Sequence, residues 1–179
     1  MRSLLLIAAT ERELCGQPGL VCGVGPVEAA AATATALALD RPQAVLHVGV
    51  AGGRGLSLGT LVIGSEALYA DLAAGIPVTP RVEPDAGLVA AAAAALPEAS
   101  VLPIATTAAV GRSGIAADVE AMEGFGVLRA CSLAGVPAVE VRAISNEIGD
   151  EDRARWDVEA AIAAIADALP RLHAALARQ

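Results

Sequence analysis

Apolar residues along this chain fall into short continuous runs separated by longer stretches of helical spacing. Residues 3–9, 20–24, 44–50, 61–65, 101–106 and 138–144 are the runs, rich in Val, Ile, Leu and Ala and bounded by Gly, Pro or charged residues. That is the pattern of buried strands. Between them, an alanine-rich stretch to about residue 38 and another over 88–96 predict helices. From Met122, the residues Phe125, Val127, Leu128, Cys131 and Leu133 give one apolar face at helical spacing, and Gly135 and Pro137 stop that helix. Residues 158–169 predict a last amphipathic helix with Ile162, Ile165 and Leu169 on one face, ended by Pro170 and a fraying tail. Residues 75–85 hold three prolines and read as a loop. No repeat or linker interrupts the β–α alternation. The expectation is a single α/β domain over 1–179, with a central mixed or mostly parallel sheet flanked by helices.

In such sheets ligands sit at the carboxyl ends of strands, so the residues that close each run are the candidates for chemistry. Thr10, Glu11, Arg12 and Glu13 follow the first run. Gly23-Val24-Gly25 follows the second; two glycines before a helix let backbone approach a ligand, or equally let strand and helix pack closely. Ala51-Gly52-Gly53 follows the third, a bare main chain against which a sugar or base could lie, with Arg54 next. Ser145-Asn146 follows residues 138–144, and Glu123 stands near a helix start inside an otherwise apolar stretch.

Met122-Glu123-Gly124, then VRAISN at 141–146, then GDEDRARW at 149–156 resemble the C-terminal half of the nucleoside phosphorylase/nucleosidase superfamily. Within it, residues 144–156 and 66–72 look most like the futalosine hydrolases, purine nucleosidases of menaquinone biosynthesis. The resemblance implies a nucleoside phosphorylase-like fold and cleavage of an N-glycosidic bond without a cofactor. It implies a small-molecule nucleoside as substrate and a homo-oligomer; the composition adds a cytoplasmic protein with neither nucleic acid nor membrane as partner. It also implies roles. Glu13 would polarise the attacking water, with Glu11 its rival, since a slip of two residues exchanges them. Glu123 would accept from a ribose hydroxyl with Met122 against the sugar, and Ala51 and Gly52 would line the substrate. Val110, within 106–111, would meet the purine edge through backbone groups. Asn146 would face N7 and the 6-substituent, supported by Ser145.

Adenosine-type members of the superfamily commonly place Asp where this chain has Asn146. A carboxamide offers a donor to a 6-oxo group that a carboxylate would repel, which favours hypoxanthine over adenine. Phosphorylases of the superfamily bring arginines and a glycine-rich loop to phosphate. Here the loop after the first run is acidic with Arg12 alone, so water is the expected nucleophile. Futalosine carries a 5′-side benzoate, and Arg54 is the first candidate to hold it, with Arg153 and Arg155 beside Trp156 as the second. The segment 71–106 is shorter than the family pattern, as if part of the usual loop or lid were trimmed. Three other readings stay open: a methylthioadenosine/adenosylhomocysteine nucleosidase, against which Asn146 argues, an inosine-type phosphorylase, against which the acidic loop argues, and a non-catalytic nucleoside-binding paralogue.

Composition removes other classes. Hydrophobic residues make up 55 % and aromatic ones 2 %, leaving only Tyr69, Phe125 and Trp156 to stack on a base. A net charge of −8 argues against nucleic-acid binding. All twelve cations are arginines, which excludes Schiff-base and phosphate-loop lysine chemistry. Two histidines, His47 and His173, exclude a histidine-rich site, and no metal is expected. Cys15, Cys22 and Cys131 lack metal-ligand spacing and read as free thiols of a reducing cytosol. No signal-peptide pattern opens the chain, and alanine runs such as 89–96 are too short to span a membrane.

Overall fold

Each apolar run holds a strand in the computed structural model, which describes residues 3–109 and 117–178, though the run 20–24 is strand only over its first two residues. The strands are β1 (Leu4–Ala8), β2 (Leu20–Val21), β3 (Ala44–Gly53), β4 (Leu61–Tyr69), β5 (Arg81–Val82), β6 (Ser100–Thr106), β7 (Val119–Ala121) and β8 (Ala138–Glu147). The helices are α1 (Pro26–Asp40), α2 (Ala86–Ala95), α3 (Gly124–Ala134) and α4 (Val158–Leu176). The sheet is mixed. β1 pairs in parallel with β2 and β3, β3 with β8, and β6 with β4 and β7, while β7 on β3, β5 on β4 and β8 on β4 are antiparallel. The pairings β3–β8–β4–β6–β7–β3 form a closed circuit, with β1 and β2 extending it beyond β3 and β5 beyond β4.

Strand alternation sorts the core into faces. Leu46 and Val48 of β3, with Val139, Val141 and Ala143 of β8, pack under Leu88 of α2 and Ile165, Leu169 and Leu172 of α4. Val45 and Ala138 point the other way, to Ala29 and Leu37 of α1 and Phe125, Val127 and Leu128 of α3. Ala51, Val62, Ile104, Val119, Ala121 and Ile144 form a third cluster among the strands of the circuit. On the α3 side the same alternation also places His47, Glu140 and Arg142, polar residues with no exposure at all.

Several boundaries differ from the sequence expectation. β3 and β8 run past residues 50 and 144, because the two strands keep pairing through Gly53 and Glu147. Ser145 and Asn146 are therefore strand residues rather than a following loop. β4 continues to Tyr69, held by β5 and β6. β5 lies inside the proline-rich loop, and β7 immediately precedes Met122. α4 does not stop at Pro170 but carries it inside the helix. A mid-helix proline costs about 3 kcal/mol. Burial of Leu172 and Leu176 beyond it, worth roughly 1.5–3 kcal/mol each, offsets that. No described helix is long and apolar enough to cross a membrane.

Candidate active site

β1, β3 and β8 are mutually parallel, so their carboxyl ends share one edge of the sheet. A pocket of about 330 Å³ opens there, bounded also by the β7–α3 junction. Glu13, Ala51, Gly52, Met122, Glu123, Ser145 and Asn146, all proposed from the sequence, line it.

Glu13 sits in the turn after β1 with only 6 % of its surface exposed. Its Oε2 accepts from Thr10 N at 3.0 Å and from Thr10 Oγ1 at 2.7 Å, and its Oε1 from Val50 N at 3.0 Å. Three donors thus hold the carboxylate against the end of β3. Glu11 is exposed and does not line the pocket.

Glu123 occupies the N-cap position of α3 without capping it through its side chain. The carboxylate instead accepts from Gly25 N at 3.1 Å and from Arg142 Nη1 at 3.3 Å. The Gly23-Val24-Gly25 segment therefore contributes a backbone donor; Gly25 has φ 99°, a conformation that favours glycine. Arg142 also donates from Nε to Glu140 Oε1 at 2.7 Å, and the pair is fully buried. Burial opposes the charge on Arg142, but Glu140, Glu123 and Glu13 outweigh it and raise the guanidinium pKa further. Burial pushes the Glu140 pKa up, with Arg142 opposing the shift and Glu123 adding to it. Burial, then the Arg142 charge, push His47 well below its usual pKa.

Ser145 and Asn146 are adjacent, and on a regular strand they would face opposite ways. The register between β3 and β8 shifts here, with Ala51 opposite Ile144 and Gly52 opposite Asn146. A bulge of this kind re-aims side chains, and both residues line the pocket. Ser145 Oγ lies 3.2 Å from Ala51 O and 2.9 Å from Asn146 Oδ1, and Asn146 Nδ2 donates to Glu147 O at 3.1 Å. Gly52 makes room, since a Cβ there would stand 3.1 Å from Asn146 Nδ2.

Other proposed residues lie elsewhere. Arg54 is outside the pocket lining and pairs with Asp118 at 3.3 Å. Arg155 pairs with Asp150 at 2.8 Å, and Arg153 lies over the Trp156 ring at 5.6 Å. Val110 lies outside the described residues. Thr107, within the segment 106–111 expected at the purine edge, lines the pocket, which also adds residues given no role from the sequence: Thr10, Glu120 and Arg12. Arg12 also pairs with Glu159 of α4. Arg142 was visible only as a polar residue at an inward position of an apolar strand. Among the described residues no group of three or more His, Cys, Asp or Glu could hold a metal ion.

Fold and pocket together are those of a nucleoside phosphorylase-type α/β enzyme. The sequence model of the phosphorylase superfamily matches residues 16–178. A futalosine hydrolase of Streptomyces coelicolor is 39% identical over 180 residues, covering 86% of this chain and 77% of that protein. One from Thermus thermophilus is 32% identical, covering 86% and 79%. Among solved structures, a 5′-methylthioadenosine/S-adenosylhomocysteine nucleosidase of Colwellia psychrerythraea in complex with adenine shares the fold at a TM-score of 0.87 and 22% identity, covering 98% of this chain and 96% of that one. A futalosine hydrolase mutant of Helicobacter pylori does so at 0.86 and 20%, covering 96% and 98%. The chain belongs to the phosphorylase superfamily and, within it, to the futalosine hydrolase family of N-glycosidic hydrolases.

Proposed function

We propose that this protein hydrolyses the N-glycosidic bond of futalosine and releases hypoxanthine, a step of menaquinone biosynthesis. The observation that carries the reading is the convergence of Glu13, Glu123 and Asn146 on one pocket, each with hydrogen-bonding capacity left over. A carboxylate offers about four lone-pair sites. Glu13 spends three on Thr10 and Val50, which leaves one on Oε1 to accept from a water. Glu123 spends one on Gly25 and one on Arg142, leaving sites for the ribose hydroxyls. Asn146 Nδ2 has one hydrogen engaged by Glu147 O and a second available to the purine.

The reaction follows from those vacancies. As the C1′–N9 bond breaks, its electron pair leaves on the purine and positive charge develops on the ribose. Glu123 and Glu13 place negative charge around that sugar, the type of preorganised electrostatic help that lowers such barriers most. Water oxygen joins C1′ while its proton passes to Glu13; the departing purine anion takes up a proton to become hypoxanthine, and Glu13 gives its proton up to solvent. The Asn146 amide donates to the departing base at N7 or its 6-oxo group. Met122 packs against the sugar, and Ala51 and Gly52 let it approach the main chain. At the outer end, Trp156, Val158 and Ile162 give an apolar wall with Arg12 beside it, which suits an aromatic carboxylate. Arg12 thus takes the place expected of Arg54.

Incubating the protein with futalosine, inosine and methylthioadenosine, with and without phosphate, and identifying the products tests the reading. Phosphate-independent release of hypoxanthine from futalosine is the expected result. Release of adenine alone would mean a methylthioadenosine-type nucleosidase, and a sugar phosphate product would mean a phosphorylase.

A further inference from the structure

The proposed hydrolysis leaves two buried polar side chains beneath Glu123 without a role, His47 on β3 and Glu140 on β8. They are directly opposite each other in the strand register, and both are 0% exposed. Both meet Arg142. Its Nε donates to Glu140 Oε1 at 2.7 Å, and its Nη2 lies 2.5 Å from His47 Nε2. Its Nη1 reaches Glu123 Oε2 at 3.3 Å and Val50 O at 3.4 Å. The His47 tautomer follows from its other side. Nδ1 lies 3.1 Å from Ile7 O, which only accepts, so Nδ1 carries the hydrogen and Nε2 offers its lone pair to the guanidinium.

We infer that His47 and Glu140 are positioning residues for the hydrolysis: by fixing Nη2 and Nε of Arg142, they aim Nη1 at Glu123, the carboxylate facing the ribose. The inference rests on the role given to Glu123 above. A guanidinium is a rigid planar fork, so fixing two of its nitrogens fixes the third. The backbone is shaped to admit the cluster. A Cβ at Gly49 would stand 2.2 Å from Arg142 Nη1, and one at Gly124 would stand 2.2 Å from Glu140 Oε2. Glu140 Oε2 itself has no hydrogen-bond partner among the described residues. A carboxylate buried with one oxygen idle is poor value for stability alone, because desolvation is costly. Holding Arg142 accounts for its presence.

The test separates the ribose from the base. Trp156, the one tryptophan of the chain, lines the pocket and reports ligand binding by fluorescence. Glu140→Leu is expected to lower kcat/KM for inosine about tenfold or more, the effect of losing a hydrogen bond to a charged group. Affinity for free hypoxanthine, which lacks the ribose, stays as in the wild type. Glu140→Gln keeps an oxygen for Arg142 Nε and recovers most of the loss. Where Glu140→Leu does not fold, His47→Asn carries the same comparison, since the shorter amide cannot reach both Ile7 O and Arg142. Nucleoside and base affinities falling together, or an unchanged kcat/KM in the folded variant, would overturn the inference. Wild-type protein that cleaves no nucleoside would overturn the functional reading and this inference with it. An active wild type with unaffected variants overturns this inference alone.

Discussion

Glu11 and Glu13 stand two positions apart in one turn, and their surroundings differ. Glu13 is wrapped by Thr10 and the Val50 amide, whereas Glu11 is exposed. Replacing Glu13 by Gln removes the group that takes the proton of water and sets an NH₂ against N–H or O–H donors. Turnover is expected to fall by about 10²–10⁴ while nucleoside binding persists, and Glu11→Gln is expected to leave turnover unchanged. Steady-state kinetics on both variants decide it; near-normal turnover in Glu13→Gln would remove the residue from the mechanism. Asn146 makes a different prediction. Asn146→Asp places an oxygen against Glu147 O, where Asn146 Nδ2 now donates at 3.1 Å, and it withdraws a donor from the base. The ratio of kcat/KM for inosine over adenosine is expected to fall, and an unchanged ratio would mean that Asn146 does not read the 6-substituent.

Elements meet where side chains are smallest, and α1 and α3 show it. Gly126 of α3 lies so close to α1 that a Cβ would stand 2.5 Å from Pro26 O and 3.2 Å from Ala30 N. Alanine there gains about 1 kcal/mol in helix propensity. The contact is with backbone, however, which no rotamer change relieves, and overpacking of this kind typically costs about 1–3 kcal/mol. Gly126→Ala is therefore expected to destabilise the protein, read as a lower urea midpoint; a raised midpoint would show that the helices can part freely. The same scale explains what the sequence disclosed. Continuous apolar runs disclosed the long strands, and Gly135 disclosed the end of α3, where it adopts φ 68°. The glycine-rich end of β3 and the polar ends of β4 and β8 did not read as strand, because their pairing comes from neighbours rather than from their own pattern. β5 and β7 are too short to carry a period. That Glu13, Glu123 and Asn146 would line one pocket was legible from the family resemblance and strand-end position. Two partners of Arg142 were not, since Glu123 and His47 lie 19 and 95 residues away along the chain. Nor could proximity to the glycine-rich strand end show that Arg54 turns to Asp118 while Arg12 lines the pocket.

Taken as a whole, the molecule carries a net charge of −8 yet buries one guanidinium among Glu13, Glu123 and Glu140, with a neutral histidine beside it. That arrangement ties folding to pH. His47 is pushed well below its ordinary value of 6.5, first by burial and then by Arg142. In the unfolded chain it takes up a proton below about pH 6.5, while in the native protein it does not. The unfolded state then binds more protons, so stability rises with pH across this window. The contribution of His47 is fully present above pH 6.5 and is lost as pH falls toward its depressed native value. Glu140 works in the opposite sense: its pKa is raised by burial, so its contribution is present below its ordinary 4.5 and is lost as pH rises through the native value. A variant lacking the imidazole separates the two. Between pH 7.5 and 5.5 the wild type is expected to lose about 1 kcal/mol more than His47→Asn, the linkage slope acting over the unit below 6.5. Urea denaturation of both proteins at the two pH values measures the difference directly. Equal losses would mean that His47 takes up its proton in the folded protein as readily as in the unfolded chain. The guanidinium would then face an imidazolium, and the neutral Nδ1–H tautomer assigned from Ile7 O would be wrong.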